Sequence, residues 1–318
     1  ITGSNLITNG AMTINQRGTQ TGVRTGYGVD RFGLGGSGSQ LLTYSQSTTV
    51  PSGQGFSNSI KLDVTTADTS VAASDYQLLS HRFEGQDLQH LKYGTSGAKS
   101  LTLQFWVRSA KTGIHIVEIQ HTDAGYINPQ PYTIASANTW QKVEVTFDGY
   151  QTTAITDDNT LGFLINWWLM AGSNYSSGTL TANTWHNTTA NRAAGQVNVM
   201  DSTSNEFYIT GVQMEVGEQA TPFEHRSIGD ELARCQRYYY YGEQSKWLFD
   251  LANSNSYRRG VEFWAVTMRA APSVTVTFSG TPGDSRGVQH ISDHHCNIYV
   301  DNESSYAFYT IIAADAEL

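Results

Sequence analysis

Only one stretch of this 318-residue chain, Ser227 to Tyr239, carries a helical pattern; elsewhere apolar residues alternate over short runs separated by turn residues. Period-2 alternation places apolar side chains on one face of a pleated strand, so such a chain must bury its apolar faces between sheets. Many short strands at close spacing are the pattern of β-sandwiches and jelly rolls.

The strands can be located. In SLTLQFWVRS, Leu101, Leu103, Phe105 and Val107 share one parity, while Thr102, Gln104, Trp106 and Arg108 take the other. A second strand from Ile114 through Ile119 follows a turn at Lys111 to Gly113, and Val143, Val145 and Phe147 alternate with Trp140, Lys142 and Glu144. Leu161 to Met170 is apolar on both parities, which predicts a central strand. Gly35, Gly36 and Gly38 read as a loop; no helix pattern follows them, so they are not a phosphate cradle.

The segment Asn205 to Tyr241 reads as strand, extended crossing, helix and new strand. Tyr208, Val212, Met214 and Val216 share a parity opposite to Gln213 and Glu215, the pattern of a half-buried strand. Ser227 is placed to cap a helix whose apolar face is Ile228, Leu232, Cys235 and Tyr239, covering the seam between two β domains. Beyond it Val261, Phe263 and Ala265 alternate with Glu262 and Trp264, and Val274, Val276 and Phe278 alternate with Ser273, Thr275 and Thr277. Cys296 to Val300, a turn at Asp301 and Asn302, and Tyr306 to Ile312 read as a closing hairpin. The expected architecture is all-β: an N-terminal jelly-roll β-sandwich at 1–226, then a short linking helix and a smaller C-terminal antiparallel β-sandwich domain at 227–318.

Charged residues are 15% of the chain, below the usual quarter or so, and the net charge is -9 with no basic run. Such a field repels phosphate backbones, so nucleic acid is excluded as the main partner. No apolar run reaches membrane-spanning length, so no membrane insertion is expected and the chain reads as soluble. Because it begins at Ile1, the sequence is expected to be a fragment or the ordered part of a longer chain. Cys235 and Cys296 read as buried thiols, and no cofactor motif is present.

The segments NLITNGAMTINQRG, VDRF (Val29 to Phe32), FWVRS, NTWQKVEVTF, ITGVQMEVG, ATPFEHRS, LARCQRYY, RAAPSVTV and FYTIIAADAEL resemble a family of bacteriophage virion proteins of tail-fibre or other structural type. The N-terminal part of that family is similar to jelly-roll carbohydrate-binding modules. The resemblance implies a non-enzymatic structural protein on the virion exterior, assembled in the host cytoplasm. Its partners would be other virion proteins, copies of itself in a homo-oligomer (a trimer), and a host-surface glycan. Alternatives stay open: a head decoration or cement protein, a carbohydrate-binding module of a polysaccharide-active protein, or a depolymerase. Related modules hold a structural calcium through an acidic residue after an Asn-Gly pair; here Asn9 and Gly10 are followed by Ala11, Met12 and Thr13, so that carboxylate is missing.

Sugar rings present apolar C–H faces edged by hydroxyls, so a binding site needs aromatic rings beside amides. Loop aromatics meet that need: Tyr126 with Asn128 and Gln130, Tyr175 with Asn174, and Trp185 with Asn183 and Asn187. Of these, Tyr126, Tyr175, Trp185 and Asn187 are the candidate contacts, against the alternative that they fill interfaces or loop cores. Trp167 and Trp168 are adjacent, so one should point outward from a strand. Trp140 is assigned to the core, Asp30 and Arg31 to a structural ion pair, and Tyr238 to Tyr241 to packing. His290, His294, His295 and Cys296 match no closed zinc spacing and read as a surface turn. No Gly-x-Ser-x-Gly elbow or His-Glu-x-x-His helix occurs, so no catalytic residue is assigned.

Overall fold

A computed structural model describes residues 5–247, 249–250, 257–280, 285–301 and 307–318. The chain divides into two compact units, Ile1–Arg226 with Leu318, and Ser227–Glu317. The fold is all-β, a jelly-roll sandwich followed by a short helix and a smaller pair of sheets.

The first unit contains β1 (Gln20–Val23), β2 (Gly26–Tyr27), β3 (Phe32–Ser37), β4 (Leu41–Ser47), β5 (Ser59–Thr66) and β6 (Tyr76–Glu84). It continues with β7 (Leu101–Ser109), β8 (Gly113–His121), β9 (Tyr126–Ile134), β10 (Gln141–Phe147), β11 (Leu161–Ala171) and β12 (Glu206–Val216). Two six-stranded antiparallel sheets result, a first in the order β1-β4-β5-β12-β7-β10 and a second in the order β2-β3-β6-β11-β8-β9. Their inner faces interdigitate: Leu101, Leu103, Phe105 and Val107 of β7 are fully buried with Phe163, Ile165 and Trp167 of β11 in one core. β11 lies inside the second sheet between β6 and β8, as its two-sided apolarity requires.

Several details depart from the sequence reading. Gly35 and Gly36 lie in β3, not in a loop; a Cβ on Gly36 would come within 2.6 Å of the Gln77 amide oxygen, so glycine lets the strand pass its neighbour. β12 is not a half-buried strand with one parity. Its register slips against β7 between Thr210 and Gln213, at a bulge where Gly211 has φ of 61°. Phe207 and Ile209 therefore face the core before the bulge and Val212 and Met214 after it, while Tyr208 lies outside beside Arg108 and Lys61. Gln213 and Glu215 are buried too, because residues 217–226 fold over them: Glu224 N donates to Gln213 Oε1 (2.7 Å) and Thr221 N to Glu215 Oε2 (2.9 Å). Trp140 is half-exposed, not in the core; it shares the outward parity of Lys142 and meets Tyr208 edge-on at 6.1 Å.

Four of the segments that carry the family resemblance, NLITNGAMTINQRG, VDRF, ITGVQMEVG and ATPFEHRS, form one structural staple. Asn9 sits at φ 62°, fully buried, with its amide donating to the carbonyls of Ile14 and Asp30 (2.8 and 3.0 Å) and its Oδ1 accepting from Ile14 N. Gly10 lies against β12, where a Cβ would be 2.0 Å from the Val212 carbonyl oxygen. Asn5 Oδ1 accepts from Met214 N (3.1 Å), and Arg226 donates to the carbonyls of Asn5 and Ile7. Asp30 accepts from Gln16 N and meets Arg17 at 3.5 Å, while Arg31 donates to the Arg82 carbonyl.

In the second unit, α1 is Ile228–Gln236, and Ser227 Oγ accepts from Asp230 N at 3.2 Å. Its buried residues are Glu231 and Cys235; Ile228 is 69% exposed, so the face is turned from the one expected. The strands are β13 (Tyr239–Trp247), β14 (Phe249–Asp250), β15 (Tyr257–Phe263), β16 (Ser273–Gly280), β17 (Ser285–Gln289), β18 (His295–Asp301) and β19 (Ala307–Asp315). They form sheets β13-β19-β16 and β14-β15-β18-β17. β18 and β19 thus belong to different sheets and do not make the expected hairpin; Asn302 and Tyr306 lie outside the described residues. β15 also has the reverse polarity: Glu262 and Trp264 point inward, with Val261 and Phe263 exposed. Tyr238 and Tyr240 are buried and their neighbours half-buried, the alternation that a chain entering a strand imposes. Cys235 and Cys296 are free, buried thiols. No helix among the described residues is long and apolar enough to cross a membrane.

Candidate functional site

The outer face of the second sheet carries a cleft of about 240 Å³. Register places Ser80 of β6 beside Asn166 of β11, and Asn166 beside Glu118 of β8, three polar side chains in one row across the face. Ser80 Oγ donates to Asn166 Oδ1 (2.6 Å), and Asn166 Nδ2 donates to Glu118 Oε1 (2.9 Å). Arg192 completes the row with Nε on Glu118 Oε2 (3.2 Å) and Nη2 on Oε1, a two-pronged pair whose carboxylate is fully buried. Burial opposes the charge on Arg192, but the Glu118 carboxylate outweighs it and holds the guanidinium pKa above its ordinary value.

One step along the strands the face becomes aromatic. Trp168 follows Asn166 by two residues on β11 and so shares its side, whereas Trp167 turns into the core. Tyr175 lies 5.4 Å from Trp168 and 5.5 Å from Tyr76, ring centre to ring centre, and the Arg192 guanidinium lies over the Trp168 indole at 5.2 Å. Trp168 is 1% exposed and its Nε1 has no hydrogen-bond partner among the described residues. Trp167 Nε1 is also unpartnered, but it lies in the core, out of reach of a ligand. Arg82 and Gln120 line the cleft, and no carboxylate does among the described residues.

Residues 172–197 shape this cleft. They run along the free edge of β9, where His186 N donates to the Ile127 carbonyl (2.9 Å), then return past β8, where Val197 N donates to the Ile114 carbonyl (3.0 Å). Pro129 and Pro131 occupy β9 positions on the side of Ile127, whose N–H points away from the ladder, so the missing donors cost the sheet nothing.

The sequence-derived candidates do not converge on one place. Tyr175 stands at the cleft in a one-turn helix, Ser173–Ser176. Tyr126, Asn128 and Gln130 are in β9, not in a loop, and Asn128 is fully buried. Tyr126 and Trp185 meet through Tyr150, at 5.2 and 5.1 Å, and the Trp185 indole N–H donates to the Asp148 carbonyl at 2.7 Å. Asn187 is exposed beside this cluster in sequence and does not line the cleft. Sequence reasoning missed Ser80, Glu118, Asn166 and Arg192. A signal existed for two of them: Glu118 and Asn166 each interrupt an apolar strand, IVEIQ and LINWW, and a polar residue there must have a buried partner. In the second unit, His294 is in an exposed turn against Asp293 and Cys296 is in the core. No group of three or more metal-ligating side chains comes together among the described residues.

Fold and cleft define this part of the chain as a β-sandwich with an aromatic and amide-lined cleft on one sheet. No family model matches the chain, and no curated protein matches it. It is similar to an enzymatically active domain of a tailspike from bacteriophage CBA120, at 14% identity and a TM-score of 0.35, over 67% of this chain and 21% of that one. It is also similar to the family 11 carbohydrate-binding module of a cellulosomal cellulase from Clostridium thermocellum (13% identity, TM-score 0.30, 66% of this chain and 98% of that one). A xylan-binding domain from Paenibacillus barcinonensis is matched at 13% identity and a TM-score of 0.31, over 57% of this chain and 91% of that one.

Proposed function

We propose that the first unit is a saccharide-binding module and that the chain serves as a non-enzymatic structural protein on a phage exterior, attaching to host glycans. The carrying observation is the adjacency on one sheet face of Trp168 and Tyr175 to the fixed polar row Ser80, Asn166, Glu118 and Arg192. A sugar ring laid against the aromatic rims would bury its C–H face, while its hydroxyls meet Gln120 and Arg82. Because the row is already hydrogen-bonded, its members need little reorganisation on binding.

The reading as a binder, not a hydrolase, draws support from the state of the Glu118 carboxylate. Glycoside hydrolysis calls for two carboxyl groups flanking the bond, whereas Glu118 is fully buried and engaged by both Arg192 and Asn166. The virion role rests on the sequence resemblance. Symmetric display, as in a trimer, would turn weak single-site contacts into avidity.

Calorimetry of the full chain against soluble β-glucan, xylan, galactan, polygalacturonate and lipopolysaccharide O-chain tests the cleft. The expected result is binding to at least one, weakened about tenfold or more by Tyr175→Ala, equivalent to about 1.4 kcal/mol. Affinity and number of sites both unchanged in a folded Tyr175→Ala variant would count against the cleft, and new reducing ends from any of these polymers would count against a non-catalytic role.

A further inference from the structure

The outer face of the first sheet holds a second concavity, of about 390 Å³, built on the β12 bulge. Gly211 in that bulge has φ of 61°, and a Cβ there would lie 2.6 Å from Cζ of Phe56. Glycine thus satisfies the backbone and lets the Phe56 ring settle onto the sheet. Phe223 meets Phe56 edge-on at 5.0 Å, and His225 lies 4.9 Å from Phe223 and 5.6 Å from Phe56. These three rings form one wall. Trp106 of β7, in register with Lys142 of β10, also lines the concavity.

Trp106 is unlike the chain's packed tryptophans. Trp140, Trp167, Trp168, Trp185 and Trp264 each have an aromatic partner within about 6 Å, whereas half-buried Trp106 has no ring contact and its indole N–H has no acceptor among the described residues. His225 and the Gln54 side chain also line the concavity with no side-chain hydrogen bond among the described residues. An unstacked indole beside open imidazole and amide groups is what a sugar ring requires: a flat apolar platform edged by hydroxyl partners. Lys142, whose Nζ lies 4.0 Å from the Glu144 carboxylate, also lines the concavity.

We infer that this concavity is a second saccharide site, on the sheet face opposite the Trp168 cleft. The inference rests on reading the unit as a glycan binder but uses none of the cleft's residues. The two sites lie on opposite outer faces of a sandwich whose sheets are about 10 Å apart, so a single sugar residue cannot occupy both. The unit is then bivalent. Each copy holds two glycan segments and cross-links a polysaccharide.

Titration calorimetry on the full chain, with oligosaccharides cut from the polymers named above, counts the sites, and turbidity with the intact polymers reports cross-linking. Expected are two sites per chain, falling to one in Trp106→Ala with loss of turbidity, and equally to one in Tyr175→Ala. Phe223→Ala serves as the independent variant, with unchanged circular dichroism as the folding check. A single site in the wild type, abolished by Tyr175→Ala and indifferent to Trp106→Ala and Phe223→Ala, overturns this inference and leaves the cleft standing. A single site abolished by Trp106→Ala alone keeps this concavity and overturns the cleft. No binding across the panel overturns both.

Discussion

His81, His115 and His121 share one arrangement in the first unit: each ring uses Nε2 on a backbone carbonyl, of Thr8, Lys111 and Thr153, and leaves Nδ1 buried without a partner. Burial lowers the pKa of all three, that of His115 to about 4. Between pH 6.5 and 4 the unfolded chain therefore binds a proton at position 115 that the folded chain does not, so stability falls as pH falls through that window. The loss attributable to His115 amounts to about 3 kcal/mol. Thermal melts across this range should show a falling midpoint, with a shallower fall in His115→Gln; parallel curves for the two proteins would contradict the assignment. In the second unit, burial, with Glu262 adding to it, pushes the Cys296 thiol up to about 12. A disulfide reagent should accordingly label neither cysteine in the native protein at mildly alkaline pH and both after denaturation.

At the scale of elements, the strands with a clear apolar pattern were legible: β7 and β10 lie where the alternation of Leu101 and Val143 puts them, and β11 where the two-sided apolarity of Leu161 to Met170 does. What was not legible is chiefly a matter of what covers a face. Glu262 reads as solvent-facing, yet it is buried beside Tyr240 and Cys296, because its tertiary partners come from strands distant in sequence. β12 changed parity at a bulge whose only mark is Gly211, and the polar row of the cleft is assembled from three strands whose order the sequence does not state. Trp168 was half legible, since its pairing with Trp167 demands that one ring point outward. Local devices are easier. Ser227→Ala should lower the stability of the second unit by about 1 kcal/mol in chemical denaturation, through loss of the cap on Asp230 N. Asn9→Ala should cost the first unit about 3 kcal/mol, since it removes bonds to both the amide and the carbonyl of Ile14 and to the Asp30 carbonyl. An effect near zero for Asn9→Ala would mean the N-terminal staple does not hold the first unit together.

For the molecule as a whole, the resemblance residues of the N-terminal staple and the residues that line the Trp168 cleft are different sets, although the second concavity takes Trp106, Lys142, Phe223 and His225 from resemblance segments. The former, around Asn5, Asn9, Gly10, Gln213 and Arg226, tie the N-terminal segment to β12 and build the frame. The latter, around Trp168, Tyr175 and Arg192, stand on an outer sheet face that the frame only supports. The seven tryptophans give a direct readout of where a glycan lands, because each indole N–H yields its own signal in a nitrogen-correlated NMR spectrum. On titration with the oligosaccharides of the panel, the Trp168 indole signal should shift and saturate while that of core-buried Trp167 stays in place. A Trp168 signal that no oligosaccharide moves would contradict the cleft.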